Sequence, residues 1–240
     1  MDKLNNSYDR IVSLGSTCCI KAWLRAYNIE GETNFYDWVG SSMWGIVKLL
    51  EDPHNETIFD INHHKYIRTL NSDKNYMVVN TYIYLILMHE FPSAASSDEK
   101  LNITLFTVMK DTYSRRLTRF VEMLNNSNKL LFIRQEQNIS DRIMTLEQEQ
   151  MFATTELEYL ITFTKLLKTK YPTLKFDILF FSHSNETCHL PEHNIIILHG
   201  MIGGWDTCTM NLTKTFMNNM KFIDDTLFDK ALLGPSQSHK

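Results

Sequence analysis

The chain has 240 residues, of which 43% are hydrophobic and 22% are charged, and its formal net charge is -4 with a sequence pI near 6.1. This is the composition of an ordinary globular protein, and the 14 Phe and 10 Tyr can fill a sizeable core. A slightly acidic chain creates no field that attracts a polyphosphate backbone, so we expect no general nucleic-acid binding.

Two segments of the sequence argue against a secreted protein and against a membrane-spanning protein. Met1–Arg10 is charged and has no apolar stretch of signal-peptide length. The most apolar run, Tyr82–Met88, is far shorter than the roughly 20 residues that cross a bilayer. We therefore expect a cytoplasmic protein with no membrane span. Four cysteines are too few for a disulfide framework, so we expect all of them to be reduced.

The first predicted elements are a strand, a tight turn and a helix. Arg10–Leu14 is a short apolar strand, and from Ile20 onward apolar residues recur at helical spacing. Thr17 is the predicted N-cap, which places Cys18 and Cys19 in the first turn of the helix. A second helix begins at the Ser41-Ser42 pair, and the chain is then polar and irregular to about residue 74.

The middle of the chain predicts strands followed by a long helix. Met77–Met88 is rich in Val, Ile and Tyr, which indicates one or two strands and leaves His89 at a strand end. Thr104–Leu124 is a long amphipathic helix. Its predicted apolar face consists of Leu105, Val108, Met109, Tyr113, Leu117, Phe120, Val121 and Leu124. Its other face displays Arg115, Arg116 and Arg119.

The rest of the chain alternates strands and helices. In order, the pattern predicts strand Lys129–Arg134, a helix within Leu146–Lys170, strand Phe176–Ser182, strand Asn194–His199 and a final helix from about Thr209. We therefore predict an α/β protein with a mostly parallel central sheet and helices on both faces, a three-layer, Rossmann-like arrangement. No long linker or repeat interrupts the series, so we predict one domain over residues 1–240.

Polar residues follow several predicted strands. The carboxyl ends of parallel strands meet at one edge of a sheet, where they form a binding crevice. The residues expected there are Cys18, His89, Arg134, His183, Ser184 and His199. The amino-terminal end of a helix stabilises a thiolate, a nearby imidazole can take the thiol proton, and backbone N–H groups of the turn can hold an oxyanion. A nucleophilic role for Cys18 competes with a role as a small buried core residue.

Other site types have weaker support. Cys188, His189, His193 and Cys208 lack the paired short spacings of a structural zinc site, so we predict no metal. The turn has one glycine and matches no nucleotide-binding motif, and we predict no cofactor. Asp111, Arg115 and Arg119 lie one helical turn apart, which indicates an ion-paired surface, with an anion site as the alternative.

Five short motifs occur in an order that resembles a known family. They are Ser13-Leu14-Gly15-Ser16-Thr17-Cys18 with Leu24-Arg25, then Phe35-Tyr36-Asp37-Trp38, His89-Glu90-Phe91, Tyr113-x-Arg115-Arg116-x-x-Arg119-Phe120 and Leu131-Phe132-Ile133-Arg134. Together they resemble the papain-like cysteine peptidase domains, small and largely uncharacterised proteins of bacteria and large DNA viruses. The resemblance covers roughly the first 135 residues.

The resemblance implies site residues and a second possible fold. By this likeness Cys18 matches the family cysteine, His89 its histidine and Asp37 its acidic residue. The family's Pro-Phe before Asp-Trp is Phe35-Tyr36 here, and its His-Asp-Phe has Glu90 in place of the aspartate. A papain-like α+β fold is the alternative to the Rossmann-like sheet, and a viral origin would place the protein in the host cytoplasm.

Three functional hypotheses follow. The first is a cysteine hydrolase or acyl transferase that acts on a peptide, amide or ester through Cys18, His89 and Asp37. The second is a non-catalytic interaction protein with a protein partner, and the third is a transferase that binds an anionic or sugar-nucleotide donor. The predicted substrate-binding residues are Arg115, Arg116, Arg134, His199 and Asp206.

Overall fold

A computed structural model describes residues 7–29, 31–68, 76–87, 89–94, 96–136, 154–182, 186–200 and 208–227. Its strands are β1 (Arg10–Ser13), β2 (Val39–Ser41), β3 (His64–Arg68), β4 (Tyr76–Asn80), β5 (Leu85–Leu87), β6 (Lys129–Gln135), β7 (Lys175–Ser182), β8 (Cys188–Leu190) and β9 (Ile195–His199). Its α-helices are α1 (Cys19–Ala26), α2 (Met43–Glu51), α3 (Ile103–Asn126), α4 (Glu156–Lys170), α5 (Cys208–Asn218) and α6 (Met220–Leu227). Short 3-10 turns span Glu56–Phe59, Ile61–His63 and Pro191–His193.

The strands form two sheets. The first has five strands in the order β1-β6-β7-β9-β8, with parallel pairing from β1 to β9 and an antiparallel edge strand β8. The second has four antiparallel strands in the order β2-β5-β4-β3. The prediction of a mixed α/β protein with a mostly parallel sheet is therefore confirmed at that level, and the second sheet was not predicted.

Alternate residues of the central strands enter two separate hydrophobic clusters. Leu130 and Phe132 of β6 belong to a cluster that includes residues of α2, α3, α4 and the antiparallel sheet. Leu131 and Ile133 belong to another, with residues of α1, α5 and α6. Because side chains alternate along a strand, this pattern buries both faces of the parallel sheet.

Most predicted boundaries agree with the structure to within a few residues. Helix α3 begins after its N-cap Asn102, whose side chain accepts hydrogen bonds from the N–H groups of Thr104 and Leu105. One predicted core residue of α3 was wrong, because Val108 is 60% exposed and Phe106 is buried instead. Strand β3 lies in the stretch predicted to be irregular, since its polar residues gave no apolar alternation and its order comes from pairing with β4.

Candidate active site

The turn between β1 and α1 has an unusual backbone that the neighbouring strand β2 holds in place. Gly15 and Ser16 are consecutive residues with positive φ, 73° and 76°. A β-carbon at Gly15 would collide with the Ser41 hydroxyl. That hydroxyl donates to the Leu14 carbonyl at 3.0 Å and accepts from the Ser16 N–H at 3.1 Å. Glycine and the Ser41 contacts together fix the turn.

Arg134 anchors the same turn from β6. Its guanidinium donates to the Leu14 carbonyl at 2.9 Å and to the Ser41 carbonyl at 2.8 Å, and it pairs with Glu156 of α4 at 2.7 Å. Arg134 is 0% exposed. Predicted as a substrate-binding residue, Arg134 has no surface that a substrate can touch, and these contacts make it a positioning residue for the turn.

Cys18 is the N-cap of α1, and its thiol is buried. The helix thus begins one residue later than predicted, while the Thr17 hydroxyl still accepts the Cys19 N–H at 3.3 Å. Burial raises the pKa of Cys18 to about 11, with the neighbouring Cys19 adding to the rise and a backbone hydrogen bond at Cys18 opposing it. This is the opposite of the lowering expected at a helix terminus, because desolvation of the thiolate outweighs the terminal N–H groups.

Some backbone N–H groups of the turn donate hydrogen bonds to side chains of the protein, and others do not. Gly15 donates to the Ser13 hydroxyl at 3.1 Å, while Ser16 and Cys19 donate to Ser41 and Thr17 as above. For the N–H groups of Thr17 and Cys18, the residues that the structure describes supply no acceptor from another residue. The turn that carries the proposed nucleophile therefore keeps two adjacent backbone donors, a type of group that can stabilise an oxyanion.

Asp37 forms a buried ion pair with a residue of the Cys18 helix. Its carboxylate lies 3.0 Å from the Lys21 ammonium and accepts the Asn34 N–H at 2.8 Å. Burial raises the pKa of Asp37, outweighing the Asn34 N–H, Lys21 and Arg116, which all lower it. Sequence reasoning missed Lys21, although a lysine among Ile20, Trp23 and Leu24 was a visible signal.

His89 lies beside Trp38, the residue that follows Asp37 in the chain. Its exposed ring meets the Trp38 ring edge to face, with centroids 6.3 Å apart. Trp38 has a φ of 65°, a conformation that a bulky side chain rarely adopts. The next residue, Glu90, accepts the Tyr113 hydroxyl of α3 at 2.7 Å. Two direct contacts, Lys21 with Asp37 and Trp38 with His89, thus bring the three predicted catalytic segments together.

The predicted triad is not hydrogen-bonded in this conformation. Within the described part of the chain, no hydrogen bond joins the side chains of Cys18, Asp37 and His89. The partner of Asp37 is Lys21 rather than His89. The structure places the three residues on neighbouring segments and leaves their catalytic assignment a prediction.

The arginines of α3 occupy different environments. Arg116 lies over the Tyr113 ring, with its guanidinium carbon 4.7 Å from the ring centroid. Arg119 donates to the Thr33 carbonyl at 3.1 Å and lies 3.9 Å from Glu32. Arg115 is exposed and lines a surface hollow of about 550 Å³ with Arg119, Thr112, Ser114 and Thr118.

His199 and Asp206 were predicted to join this site. His199 ends β9, which β6 and β7 separate from β1, a distance of about 14 Å at the usual strand spacing. His199 therefore does not lie at the β1 end of the sheet, where the Cys18 turn begins. Asp206 lies outside the described residues, as do His183 and Ser184.

The described side chains and helices bear on metal binding and on membrane insertion. No group of three or more His, Cys, Asp or Glu side chains there could hold a metal ion. None of the helices in these ranges combines the length and apolarity needed to cross a bilayer. Among the described residues, Cys18, Cys19 and Cys188 form no disulfide, and the side chain of Cys208 lies outside the described part.

Comparison with known proteins defines the class. Residues 9–186 match the model of a family described as "Putative papain-like cysteine peptidase", and the chain belongs to this family. It is also similar to an uncharacterised protein of Acanthamoeba polyphaga mimivirus, with 23% identity over 228 residues, covering 86% of this chain and 96% of the viral one. No solved structure matches.

Proposed function

We propose that the protein is a cysteine hydrolase in which Cys18 is the nucleophile and His89 the general base. A pair of contacts carries the proposal: the Lys21–Asp37 ion pair and the Trp38–His89 ring contact link the Cys18 helix, the Asp37 segment and the His89 segment. Membership of a family described as cysteine peptidases supports a peptide, amide or ester substrate. The mimivirus relative supports a viral origin and action in the host cytoplasm.

The chemistry requires an attack that is coupled to proton transfer. His89 takes the thiol proton while the Cys18 sulfur bonds to the substrate carbonyl carbon, whose oxygen becomes an oxyanion facing the Thr17 and Cys18 N–H groups. The leaving amine or alcohol takes the proton from His89 as its bond to carbon breaks. Water, deprotonated by His89, then hydrolyses the thioester and restores the thiol.

The high pKa of Cys18 decides which form of this mechanism applies. With a pKa of about 11, the thiol is protonated at neutral pH, so the resting site holds no preformed thiolate. Deprotonation must accompany attack on a bound substrate. Iodoacetamide at pH 7 should therefore modify Cys18 more slowly than the half-buried Cys188, and the Cys18 rate should rise steeply as pH approaches 11.

An activated ester tests the proposal directly. We expect p-nitrophenyl acetate to release a burst of nitrophenol and to leave one acetyl group on Cys18, located by mass spectrometry. His89→Ala should slow acetylation by about 10²- to 10⁴-fold, the usual contribution of a general base. Cys188 serves as the internal control. Acetylation that is equal on both cysteines, or that is unchanged in His89→Ala, contradicts the proposal.

A second candidate function is binding of an anionic donor by a transferase. The hollow beside Arg115 favours it, because two guanidinium groups and three hydroxyl-bearing residues line one surface. Arg116, also predicted to bind substrate, lies over the Tyr113 ring instead and does not line this hollow. Pyrophosphate should then raise the melting temperature, and Arg115→Ala should remove that shift. An unchanged melting temperature contradicts this candidate.

The helices on the two faces of the parallel sheet also bear on the fold of the whole chain. We infer that residues 1–240 form one domain and that the helices at the two faces of the parallel sheet make a three-layer, Rossmann-like unit. The split of β6 residues between two hydrophobic clusters supports this arrangement. The antiparallel sheet that carries β2 supports the papain-like α+β alternative.

A further inference from the structure

A groove runs along β1 toward the Cys18 turn. Its volume is about 400 Å³, and every residue from Asp9 to Ser13 lines it. Lys21 and Leu24 of α1 form one wall, and Arg119 and Met123 of α3 contribute to the other. We call this the β1 groove. Ser13 precedes the Cys18 turn and Lys21 follows Cys18 by one helical turn, so groove residues lie on both sides of the turn in sequence, although Cys18 itself does not line the groove.

The floor of the β1 groove is the edge of a parallel sheet. Among the residues that the structure describes, β1 pairs with β6 on one side and with no strand on the other. The Leu14 N–H donates to the Ile133 carbonyl of β6 at 2.9 Å. Because backbone groups alternate in direction along a strand, the phase set by Leu14 turns the N–H groups of Ile11 and Ser13 away from β6, toward the side of the groove. They can pair with a further strand.

The walls of the β1 groove favour a neutral backbone over an anion. Lys21 is paired with Asp37, and Arg119 lies beside Glu32. The Asp9 carboxylate accepts the Asn128 and Lys129 N–H groups at 2.6 and 3.0 Å. Positive and negative side chains thus neutralise one another within the walls, which leaves little field to hold a phosphate.

We propose that an extended segment of a substrate polypeptide binds in the β1 groove as an added strand, hydrogen-bonded to Ile11 and Ser13 and directed toward Cys18. This inference rests on the proposed function, since it names where the substrate of that site binds. Backbone pairing gives affinity without a strict sequence requirement, and the side chains of alternate substrate residues meet the walls.

Amide hydrogen exchange in the full-length Cys18→Ala variant tests the groove, because this variant cannot consume its ligand. The probe is a peptic digest of denatured casein at millimolar concentration, and the control is the same casein hydrolysed to free amino acids. We expect the digest to slow exchange at Ile11 and Ser13 by about tenfold or more, and the amino acids to leave it unchanged. Equal exchange with both additives overturns the proposal.

Two tryptophan variants make the test site-specific. A β-carbon at Gly31, a groove residue, meets no atom within 4 Å, so Gly31→Trp adds bulk without a clash. It should abolish the protection, whereas Val108→Trp, at an exposed position of α3, should retain it. Protection that survives Gly31→Trp overturns the proposal. So does light scattering that shows a dimer broken by Gly31→Trp, because a second copy would then occupy β1.

The two proposals fail separately. Protection at Ile11 and Ser13 without acetylation of Cys18 in the wild-type chain would sink the hydrolase proposal and leave a peptide-binding groove. Acetylation of Cys18 without protection would sink the groove and leave the hydrolase. The exchange measurement does not use Cys18, and the acetylation measurement uses an ester too small to need the groove.

Discussion

The two sides of the proposed site are held by very different amounts of structure. The Cys18 turn is tied to β2, β6 and α4 through Ser41, Arg134 and Glu156, all of them buried. His89 is exposed, and its ring meets the rest of the site through Trp38. Buried contacts are therefore concentrated at the proposed nucleophile, and the proposed base has fewer contacts with the rest of the site.

This difference agrees with the protonated state of Cys18. A rigid, buried turn desolvates the thiol and raises its pKa to about 11. The exposed ring of His89, the proposed base, can approach the thiol when a substrate has bound, which allows deprotonation at the moment of attack. The comparison thus predicts that changes on the turn side cost stability, and that changes on the histidine side cost activity.

The largest loss of stability is expected from Arg134→Met. The change leaves Glu156 buried without its partner and removes the donors to the Leu14 and Ser41 carbonyls. Breaking a buried ion pair on one side costs about 3–5 kcal/mol of unfolding free energy. Denaturant unfolding measures it. Arg115→Met, on the exposed face of α3, is the matched control and should stay within about 0.5 kcal/mol; equal losses would contradict the anchoring role.

Lys21→Met should cost less than Arg134→Met, and its cost should depend on pH. At pH 7 the change leaves the Asp37 carboxylate buried with fewer partners, and we expect a loss of about 2–4 kcal/mol. Burial already raises the pKa of Asp37, and removal of Lys21 raises it further. Both chains protonate Asp37 as the pH falls, the variant first, so the difference in stability between them should shrink toward pH 4.

A double variant separates the charge from the packing at this pair. Lys21→Met combined with Asp37→Leu removes both charges, so most of the stability lost at pH 7 should return and the dependence on pH should disappear. Unfolding curves at pH 7 and pH 4 for the wild type and the variants supply the comparison. A loss in Lys21→Met that is the same at both pH values would show that Asp37 is not the group responsible.

The elements that sequence predicted well are those whose signal is local. The strand-turn-helix around Cys18, helix α3 and strands β6, β7 and β9 each carry an apolar pattern with the period of their own secondary structure. Strands β2 and β3 do not, since three to five residues of mixed polarity become strands only through pairing with β5 and β4.

In the candidate site, too, the contacts between segments that are distant in the chain could not be predicted from the sequence. The family likeness supplied Cys18, Asp37 and His89, but the residues that connect them act through contacts between distant segments. Lys21 meets Asp37 across 16 positions of the chain, and Arg134 meets the Leu14 carbonyl with a sequence separation of 120. A buried arginine and a surface arginine look alike in sequence, which explains why Arg134 was placed among the substrate-binding residues.

The smallest effect on stability, with a clear effect on activity, is expected from Trp38→Gly. Glycine accepts the positive φ of 65° without strain, which offsets part of the packing lost with the ring. We expect a change in unfolding free energy within about 1 kcal/mol, together with Cys18 acetylation slowed about tenfold because His89 loses its neighbour. In a His89→Ala background the same change should add nothing, since Trp38 acts through His89. If Trp38→Gly still slows acetylation in the His89→Ala background, Trp38 does not act through His89. The segment around His89 would then be more ordered than the exposure of its ring indicates.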